Sequence, residues 1–192
     1  MYIFFILLLL FYMFLHSFLA HDKVKTILYK KLINERYYRF FFVSYATVFF
    51  IPILYLYYTG KHTIYFIPNT YIIIIATGLI VFSLWIFYIS FKNYNFKEFL
   101  GIDRINSKDK IHYQLSTEGI NKYVRHPLYS ASYTLMAGIF LISPDNYILA
   151  ACMIIAIYLP IGIIFEEQKL VKEYGDRYKK YQKEVPMLIP KI

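Results

Sequence analysis

One polar stretch at the start of an apolar run has the residue types of an anion-binding site. Within residues 119–129, Arg125 and His126 directly precede Pro127 and the apolar run. Proline is favoured at the first position of a helix, and the exposed N–H groups there attract negative charge. Arg125 and His126 are therefore candidates to bind a carboxylate. The simpler alternative is that both side chains extend to lipid headgroups at a membrane edge.

Two adjacent acidic residues follow another apolar run. Glu166 and Glu167 come directly after residues 147–165. Carboxylates are costly next to hydrocarbon and contribute little to membrane orientation, so a pair of them at this position needs a reason. They are candidates to bind a cationic group such as an ammonium. Alternatively, they pair with Lys169 and Lys172, which lie within reach on the same helix.

A short turn is predicted to bring the two polar stretches together. Residues 143–146 read SPDN, a turn composition between two apolar runs. The start of the first run and the end of the second then return to the same side. Arg125, His126 and Tyr129 can share a pocket with the two glutamates. A pocket with both signs of charge suits a zwitterion.

The elements that position these residues are membrane helices. The chain is 59% hydrophobic and 17% charged, against about 45–50% and about 25% in average soluble domains. This composition excludes an ordinary soluble enzyme and a disordered chain. The single cysteine, Cys152, excludes an internal disulfide framework. An integral membrane protein is the first interpretation.

Apolar runs near residues 2–20, 40–58, 71–91, 127–142 and 147–165 predict five spans. All but Lys61 of the 21 basic residues lie in alternate connections. This pattern predicts an N-terminus outside the cell and a cytoplasmic tail over residues 166–192. We therefore expect an all-α membrane bundle, a single domain over residues 1–192, whose last two spans form a hairpin. A cleaved signal peptide is the alternative for the first run, but it lacks a basic n-region.

Other chemistries find no support in the sequence. There is no GxGxxG, P-loop, HExxH or paired CxxC pattern, so a soluble dinucleotide fold, P-loop hydrolysis and a metal site are not predicted. The net charge of +9 is explained by membrane topology and contacts with anionic lipids, and nucleic acid is not expected as a partner.

The polar stretches resemble the isoprenylcysteine carboxyl methyltransferase and phospholipid methyltransferase superfamily of membrane enzymes. The resemblance covers residues 113–190. It rests on the block YVRHPLY at residues 123–129, on the Glu166-Glu167 pair, and on tail residues Tyr174, Gly175, Tyr178, Tyr181, Val185, Pro186, Ile189 and Pro190. Ala131 departs from the pattern, which usually has glycine two positions after the tyrosine that ends the block. Its extra methyl group would affect close helix packing or cofactor approach.

The resemblance implies a pocket for S-adenosylmethionine (SAM) built from membrane helices and the tail. In it, the two glutamates would hold the amino group of the cofactor, and Arg125 with the start of the fourth span would hold its carboxylate. Tyr123 would stack on adenine or face the sulfonium. The implied cofactor-binding set is Tyr123, Val124, Arg125, His126, Tyr129, Glu166 and Glu167.

The N-terminal part resembles the branch that contains NnrU-like proteins and methanethiol S-methyltransferase. The similar pieces are residues 16–20 (HSFLA), 36–39 (RYYR) and 96–101 (FKEFLG). They make His16, His21 and Arg39 candidates for the acceptor side, with His16 deprotonating a thiol. A histidine at the end of a span can equally be an interfacial residue with a satisfied hydrogen bond.

The expected function is SAM-dependent methylation of a small or lipophilic thiol, amine or carboxylate reached from the membrane. One alternative is an NADPH-dependent membrane reductase of the sterol reductase type. That type has asparagine immediately before the tyrosine of the block, whereas this chain has Leu128. The other alternative is a non-catalytic NnrU-like accessory protein. A compact chain without added targeting signals is expected in a prokaryotic inner membrane.

Overall fold

The computed structural model describes residues 1–93 and 115–191. The chain divides into two compact units, whose described parts are residues 1–63 and residues 64–93 with 115–191. We call them the N-terminal unit and the C-terminal unit. The similar piece at residues 96–101 lies outside the described residues. The expected single-domain organisation stays a prediction.

The regular structure of the described residues is helical. The α-helices are α1 (Tyr2–Ala20), α2 (Asp22–Lys31), α3 (Glu35–Thr59), α4 (Thr70–Asn93), α5 (Pro127–Ile142), α6 (Asn146–Tyr174) and α7 (Asp176–Glu184). A short 3-10 helix covers Gly119–Lys122. One isolated bridge joins Ile64 and Asp145.

Aromatic side chains pack α1 against α3 in the N-terminal unit. The Tyr12 hydroxyl donates to the carbonyl of Ala46 at 3.1 Å, and the Tyr38 hydroxyl donates to the carbonyl of Leu19 at 2.6 Å. Since the later residue of α1 meets the earlier residue of α3, the two helices are antiparallel. The Asn34 side chain caps α3 by accepting from the N–H of Arg36 at 3.0 Å.

Small residues bring α4 and α5 close together in the C-terminal unit. Ala76 and Ala131 are fully buried, and the Ser83 hydroxyl donates to the carbonyl of Ala131 at 2.8 Å. A Cβ placed on Gly138 would lie 3.0 Å from the carbonyl oxygen of Ala76. Such close backbone approach is typical of membrane helices that pack through small residues. Ala131 thus lies in this helix contact, and its one methyl group is accommodated there.

The SPDN segment forms the turn between α5 and α6. Asp145 caps α6 by accepting from the N–H of Ile148 at 2.9 Å. The Tyr133 hydroxyl of α5 then reaches the carbonyl of Ala156 on α6 at 3.0 Å. The two helices therefore form an antiparallel hairpin. α6 continues as a helix through Pro160 and on to Tyr174.

The chain turns back after α6 at a glycine. Gly175 has φ +57° and ψ −132°, a conformation that costs residues with a Cβ. It ends α6 and starts α7, whose Tyr178 and Tyr181 are buried. The following tail, residues 185–190, runs beside the start of α5. The N–H groups of Arg125 and His126 donate to the carbonyls of Pro186 and Met187 at 2.9 and 3.0 Å.

The helix lengths fit an integral membrane protein. Within the described ranges, α1, α3, α4 (as Thr70–Lys92) and α6 are long and apolar enough to cross a membrane. α5 is apolar but has 16 residues, which is about 24 Å at 1.5 Å per residue and shorter than a hydrocarbon core of about 30 Å. An all-helical membrane bundle is thus supported, whereas five spans and their orientation remain predictions.

Candidate functional site

The carboxylate of Glu167 gathers partners from two parts of the C-terminal unit, the start of α5 and α7. Its Oε1 accepts from Arg125 Nε at 2.7 Å, pairs with His126 Nε2 at 3.0 Å and accepts from the Tyr178 hydroxyl at 3.4 Å. Its Oε2 accepts from Gln182 Nε2 at 2.8 Å. Glu167 itself is 9% exposed. A carboxylate this buried requires such partners, because an unpaired charge would be strongly destabilising.

Arg125 connects this carboxylate to the end of α7. Its Nη2 lies 2.7 Å from Oε1 of Glu167, which makes a two-nitrogen contact with one carboxylate. Its Nη1 donates to the backbone carbonyls of Gln182 and Val185. Gln182 lies in the last turn of α7 and Val185 is the C-cap residue that follows it. Carbonyls at a helix C-terminus lack intrahelical partners and favour a cation. In this structure Arg125 is neutralised by Glu167 and caps α7.

Glu166 has a different environment from its neighbour. Its side chain is 47% exposed, against 12% for Glu167. Its Oε2 accepts from the Tyr129 hydroxyl at 3.0 Å and lies 3.9 Å from His126 Nδ1. The rings of His126 and Tyr129 meet edge to face, with centroids 5.5 Å apart. The arrangement is an accessible carboxylate beside an aromatic ring, which is suited to a cation.

Tyr178 is held as a hydrogen-bond donor. It is 1% exposed, and burial together with the nearby Glu167 carboxylate raises the pKa of its phenol well above its ordinary value of 10.0. Deprotonation would place a second negative charge in a site with little water. Tyr178 therefore stays protonated and can donate to Glu167 throughout the neutral pH range.

Two cavities lie in the C-terminal unit, and the smaller one borders Glu167 and Gln182. A cavity of about 330 Å³ is lined by Ile164, Glu167, Gln168, Val171 and Gln182. An apolar cleft of about 800 Å³ lies between α4, the start of α5 and the tail. Its lining is mainly aromatic and aliphatic and includes Phe82, Trp85, Ile86, Ile89, Tyr123, Val124, Pro127, Tyr133, Leu188 and Ile189.

A family match over more than half of the chain shows to which family it belongs. The family model described as phospholipid methyltransferase matches residues 71–177. This chain belongs to that family. The match contains the block at residues 123–129 and the Glu166-Glu167 pair, so the expected superfamily is confirmed. No solved structure matches the chain.

Curated relatives of this family member include proteins named methanethiol S-methyltransferase. The one from Crocosphaera subtropica is 33% identical over 79 residues, 41% of this chain and 30% of the relative. Methanethiol S-methyltransferase 1 from Bradyrhizobium diazoefficiens is 32% identical over 77 residues, 40% of this chain and 26% of the relative. The one from Pseudomonas deceptionensis is 33% identical over 93 residues, 47% of this chain and 34% of the relative. The chain thus spans about a third of the length of these relatives, and the similarity favours the methanethiol branch.

The predicted cofactor set divides into two groups in this family member. The first group is in mutual contact and consists of Arg125, His126, Tyr129, Glu166 and Glu167. Tyr123 and Val124 instead line the apolar cleft, where Tyr123 is 65% exposed and Val124 is buried. The binding of a cofactor carboxylate by Arg125 stays a prediction. It would require Arg125 to exchange its bonds to Glu167 or to α7.

The predicted acceptor-side residues belong to the N-terminal unit. The His16 ring packs on Phe42 with centroids 4.8 Å apart. Arg39 lines a cavity of about 330 Å³ with Lys25, Tyr29 and Tyr38 among its other lining residues. The N–H of Lys23 donates to Nδ1 of His21, which caps α2. All three candidates lie outside residues 71–177, and their roles toward an acceptor stay predictions.

Sequence reasoning missed Gln182, and it used Tyr178 only as part of a resemblance. Both residues contact Glu167, and neither side chain carries a charge. The signal that could have identified them is their spacing in the sequence. Tyr178, Tyr181 and Gln182 recur at three and four residues, which places them on one face of a short helix. That face packs on the carboxylate and on the 3-10 helix, since the Tyr181 hydroxyl donates to the carbonyl of Asn121 at 2.6 Å.

Proposed function

We propose that this chain is an integral membrane methyltransferase that uses SAM. The observation that carries the proposal is the accessible carboxylate of Glu166, held by Tyr129 and bordered by His126, inside the segment that matches the phospholipid methyltransferase family. The relatives named methanethiol S-methyltransferase support the same reaction type.

The residues of the site fit the chemistry of this cofactor. SAM is a cationic amino acid derivative, and when bound it supplies a methyl group from a sulfonium. Glu166 would hold the ammonium group, because it is the more exposed of the two glutamates and is oriented by a hydroxyl donor. Tyr129 and His126 add aromatic surface, which attracts cationic groups.

The protein itself mainly has to bind and orient. Methyl transfer from a sulfonium is a direct displacement that needs no covalent protein nucleophile. Alignment of the reactants and exclusion of water therefore account for much of the rate acceleration. The paired charges of Arg125 and Glu167 give the site a fixed frame without leaving a second free charge. Glu166 is then the group whose charge is free to act on a ligand.

The acceptor is proposed to be a small or lipophilic molecule, with a thiol as the first class to test. The thiol is favoured by the printed names of the relatives. A lipophilic acceptor is favoured by the apolar cleft of about 800 Å³, a size typical of ligand pockets. The proposed location is a membrane, and the expected prokaryotic inner membrane stays a prediction.

The test is cofactor binding and methyl transfer by the purified full chain in lipid nanodiscs. S-adenosylhomocysteine binding is measured by calorimetry, and transfer of a labelled methyl group from SAM is measured with methanethiol and with longer alkanethiols. We expect Glu166→Gln to weaken S-adenosylhomocysteine binding about ten- to a hundredfold, the effect of losing one charge-assisted hydrogen bond. Transfer to the longer thiols would assign the apolar cleft to the acceptor.

Glu184→Gln is the matched control, because Glu184 is an exposed glutamate that pairs with Lys180 on the surface of α7. Its binding should equal that of the wild type. A folded wild-type protein that binds neither SAM nor S-adenosylhomocysteine would overturn the proposal. Binding of NADPH in their place would favour the reductase alternative, and binding of no cofactor would favour the accessory protein.

A further inference from the structure

We propose that Gln182 and Tyr178 of α7 are positioning residues, which fix the Glu167 carboxylate and thereby set the place of Glu166 for an ammonium group. This inference rests on the proposed function and extends it to a helix that lies, except for its first two residues, outside the family match at residues 71–177.

The first step concerns how Glu167 is oriented. In the part of the chain that the structure describes, Oε1 of Glu167 is bonded by Arg125, His126 and Tyr178, whereas Oε2 is bonded by Gln182 at 2.8 Å. The terminal torsion of a glutamate side chain is broad and soft. Gln182 is the described donor to Oε2, and together with the partners of Oε1 it fixes the rotation of the carboxylate.

The second step links Glu167 to Glu166 through one ring. His126 is 4% exposed, and its Nε2 contacts Glu167 at 3.0 Å while its Nδ1 lies 3.9 Å from Oε2 of Glu166. The imidazole therefore lies between the two carboxylates. A Glu167 carboxylate that rotates freely would release this ring, and the ring borders the oxygen of Glu166 that Tyr129 also contacts.

The third step separates this role from the docking of α7. Tyr181 anchors the same helix through the 2.6 Å bond to Asn121, and Arg125 caps its last turn through backbone carbonyls. The backbone carbonyl of Gln182 accepts from Arg125 whatever its side chain is. Replacing the Gln182 side chain thus removes a donor to Glu167 and leaves both anchors of α7 in place.

The test compares two ligands, S-adenosylhomocysteine and its analogue without the α-amino group, on the full chain in nanodiscs. In the wild type, S-adenosylhomocysteine should bind at least tenfold more tightly than the analogue. Gln182→Ala should weaken S-adenosylhomocysteine binding about five- to tenfold and leave binding of the analogue unchanged. Tyr178→Phe should act in the same direction by about two- to threefold, because its bond of 3.4 Å is long.

Tyr181→Phe is the matched control, since it removes a hydroxyl from the same face of α7 without touching Glu167. It should lower the melting temperature more than Tyr178→Phe and keep the wild-type ratio of the two affinities. If α7 had only a structural role, each of the three variants would weaken the binding of both ligands by the same factor.

The outcomes distinguish the two levels of the proposal. If the wild type binds neither ligand, the proposed function fails. If it binds both equally, the assignment of Glu166 to the ammonium group fails, and the positioning role fails with it. Suppose instead that the wild type binds S-adenosylhomocysteine more tightly than the analogue. If Gln182→Ala and Tyr178→Phe then keep the wild-type ratio of the two affinities, only the positioning role is overturned. The same holds if Tyr181→Phe reduces the ratio as much as Gln182→Ala. Should Gln182→Ala fail to fold, Tyr178→Phe decides by the same ratio.

Discussion

The two units of this protein satisfy their buried polar groups in different ways. In the N-terminal unit, side-chain hydroxyls of Tyr12 and Tyr38 bond to backbone carbonyls within a largely aromatic interface. Two buried polar atoms there, Nδ1 of His16 and the hydroxyl of Tyr45, have no hydrogen-bond partner among the described residues. In the C-terminal unit, a carboxylate collects four side-chain partners.

This difference shows which of the two units holds the more specific polar geometry. Aromatic packing and lipid contact hold helices together without fixing a unique polar geometry, whereas a fully bonded charge cluster admits one arrangement. The family match covers residues 71–177, and those of them that the structure describes lie in the unit that holds the cluster. The C-terminal unit is not uniformly satisfied, since the buried hydroxyl of Ser90 also has no partner within the described ranges.

The largest expected effect tests the charge cluster itself. Arg125→Ala leaves Glu167 buried without its main cation, and we expect a loss of about 3–5 kcal/mol in the free energy of unfolding. Reversible unfolding in mixed micelles measures this change. Arg177→Ala, at an exposed position on α7, is the control and should change little. A loss below about 1 kcal/mol for Arg125→Ala would contradict the view that the cluster holds the C-terminal unit together.

An intermediate effect is expected where α4 and α5 approach closely. A Cβ on Gly138 would lie 2.7 Å from the Ile80 side chain and 3.0 Å from the backbone oxygen of Ala76. Gly138→Ala should therefore destabilise the protein by about 1–3 kcal/mol through overpacking. Gly78→Ala is the matched control in α4, where a Cβ meets nothing within 4 Å. It should instead stabilise by up to about 1 kcal/mol through helix propensity.

The same unfolding assay checks this pair of variants. Changes of opposite sign would show that the contact between α4 and α5 is as tight as the distances indicate. Equal and small changes for the two glycines would mean that the helices move apart easily. The C-terminal unit would then depend on its polar cluster alone.

The smallest effects are expected in the N-terminal unit. Tyr38→Phe removes the 2.6 Å bond to the carbonyl of Leu19 and should cost about 1 kcal/mol. Tyr45→Phe removes a buried hydroxyl without a partner and should stabilise by up to about 1 kcal/mol, because no bond is lost and a desolvation cost disappears. A destabilising Tyr45→Phe would show that its hydroxyl is satisfied, which would remove the contrast between the two units.

Hydrophobic patterning predicts much of the helical framework. The runs at residues 2–20, 127–142 and 147–165 lie within α1, α5 and α6, because apolar length is what a membrane helix requires. The SPDN turn predicts the hairpin, and the hairpin explains why Arg125 and Glu167 meet across 42 residues of sequence. Helices and turns that depend on apolar length, turn composition and capping can therefore be predicted from the sequence.

The choice of partners within the site is not accessible in this way. The sequence allows Arg125 and Glu167 to bind the two ends of a ligand, whereas the structure pairs them with each other. Which residues pair depends on the rotation of α6 and on the docking of α7, set in part by the backbone of Gly175. Glu166 and Glu167 are neighbours of the same type, and their sequence positions do not indicate that they differ in exposure and in hydrogen-bond partners.

The distances along the chain within the charge cluster impose an order on its formation. The carbonyls that Arg125 bonds at the end of α7 come 57 and 60 residues later in the sequence. A ribosome adds about 5–20 residues each second, so about 3–12 s pass between the synthesis of Arg125 and that of its last partner. Until Glu167 is made, 42 residues after Arg125, the guanidinium has to find water or lipid phosphate. The charge cluster is therefore completed only after both arms of the helical hairpin have been made.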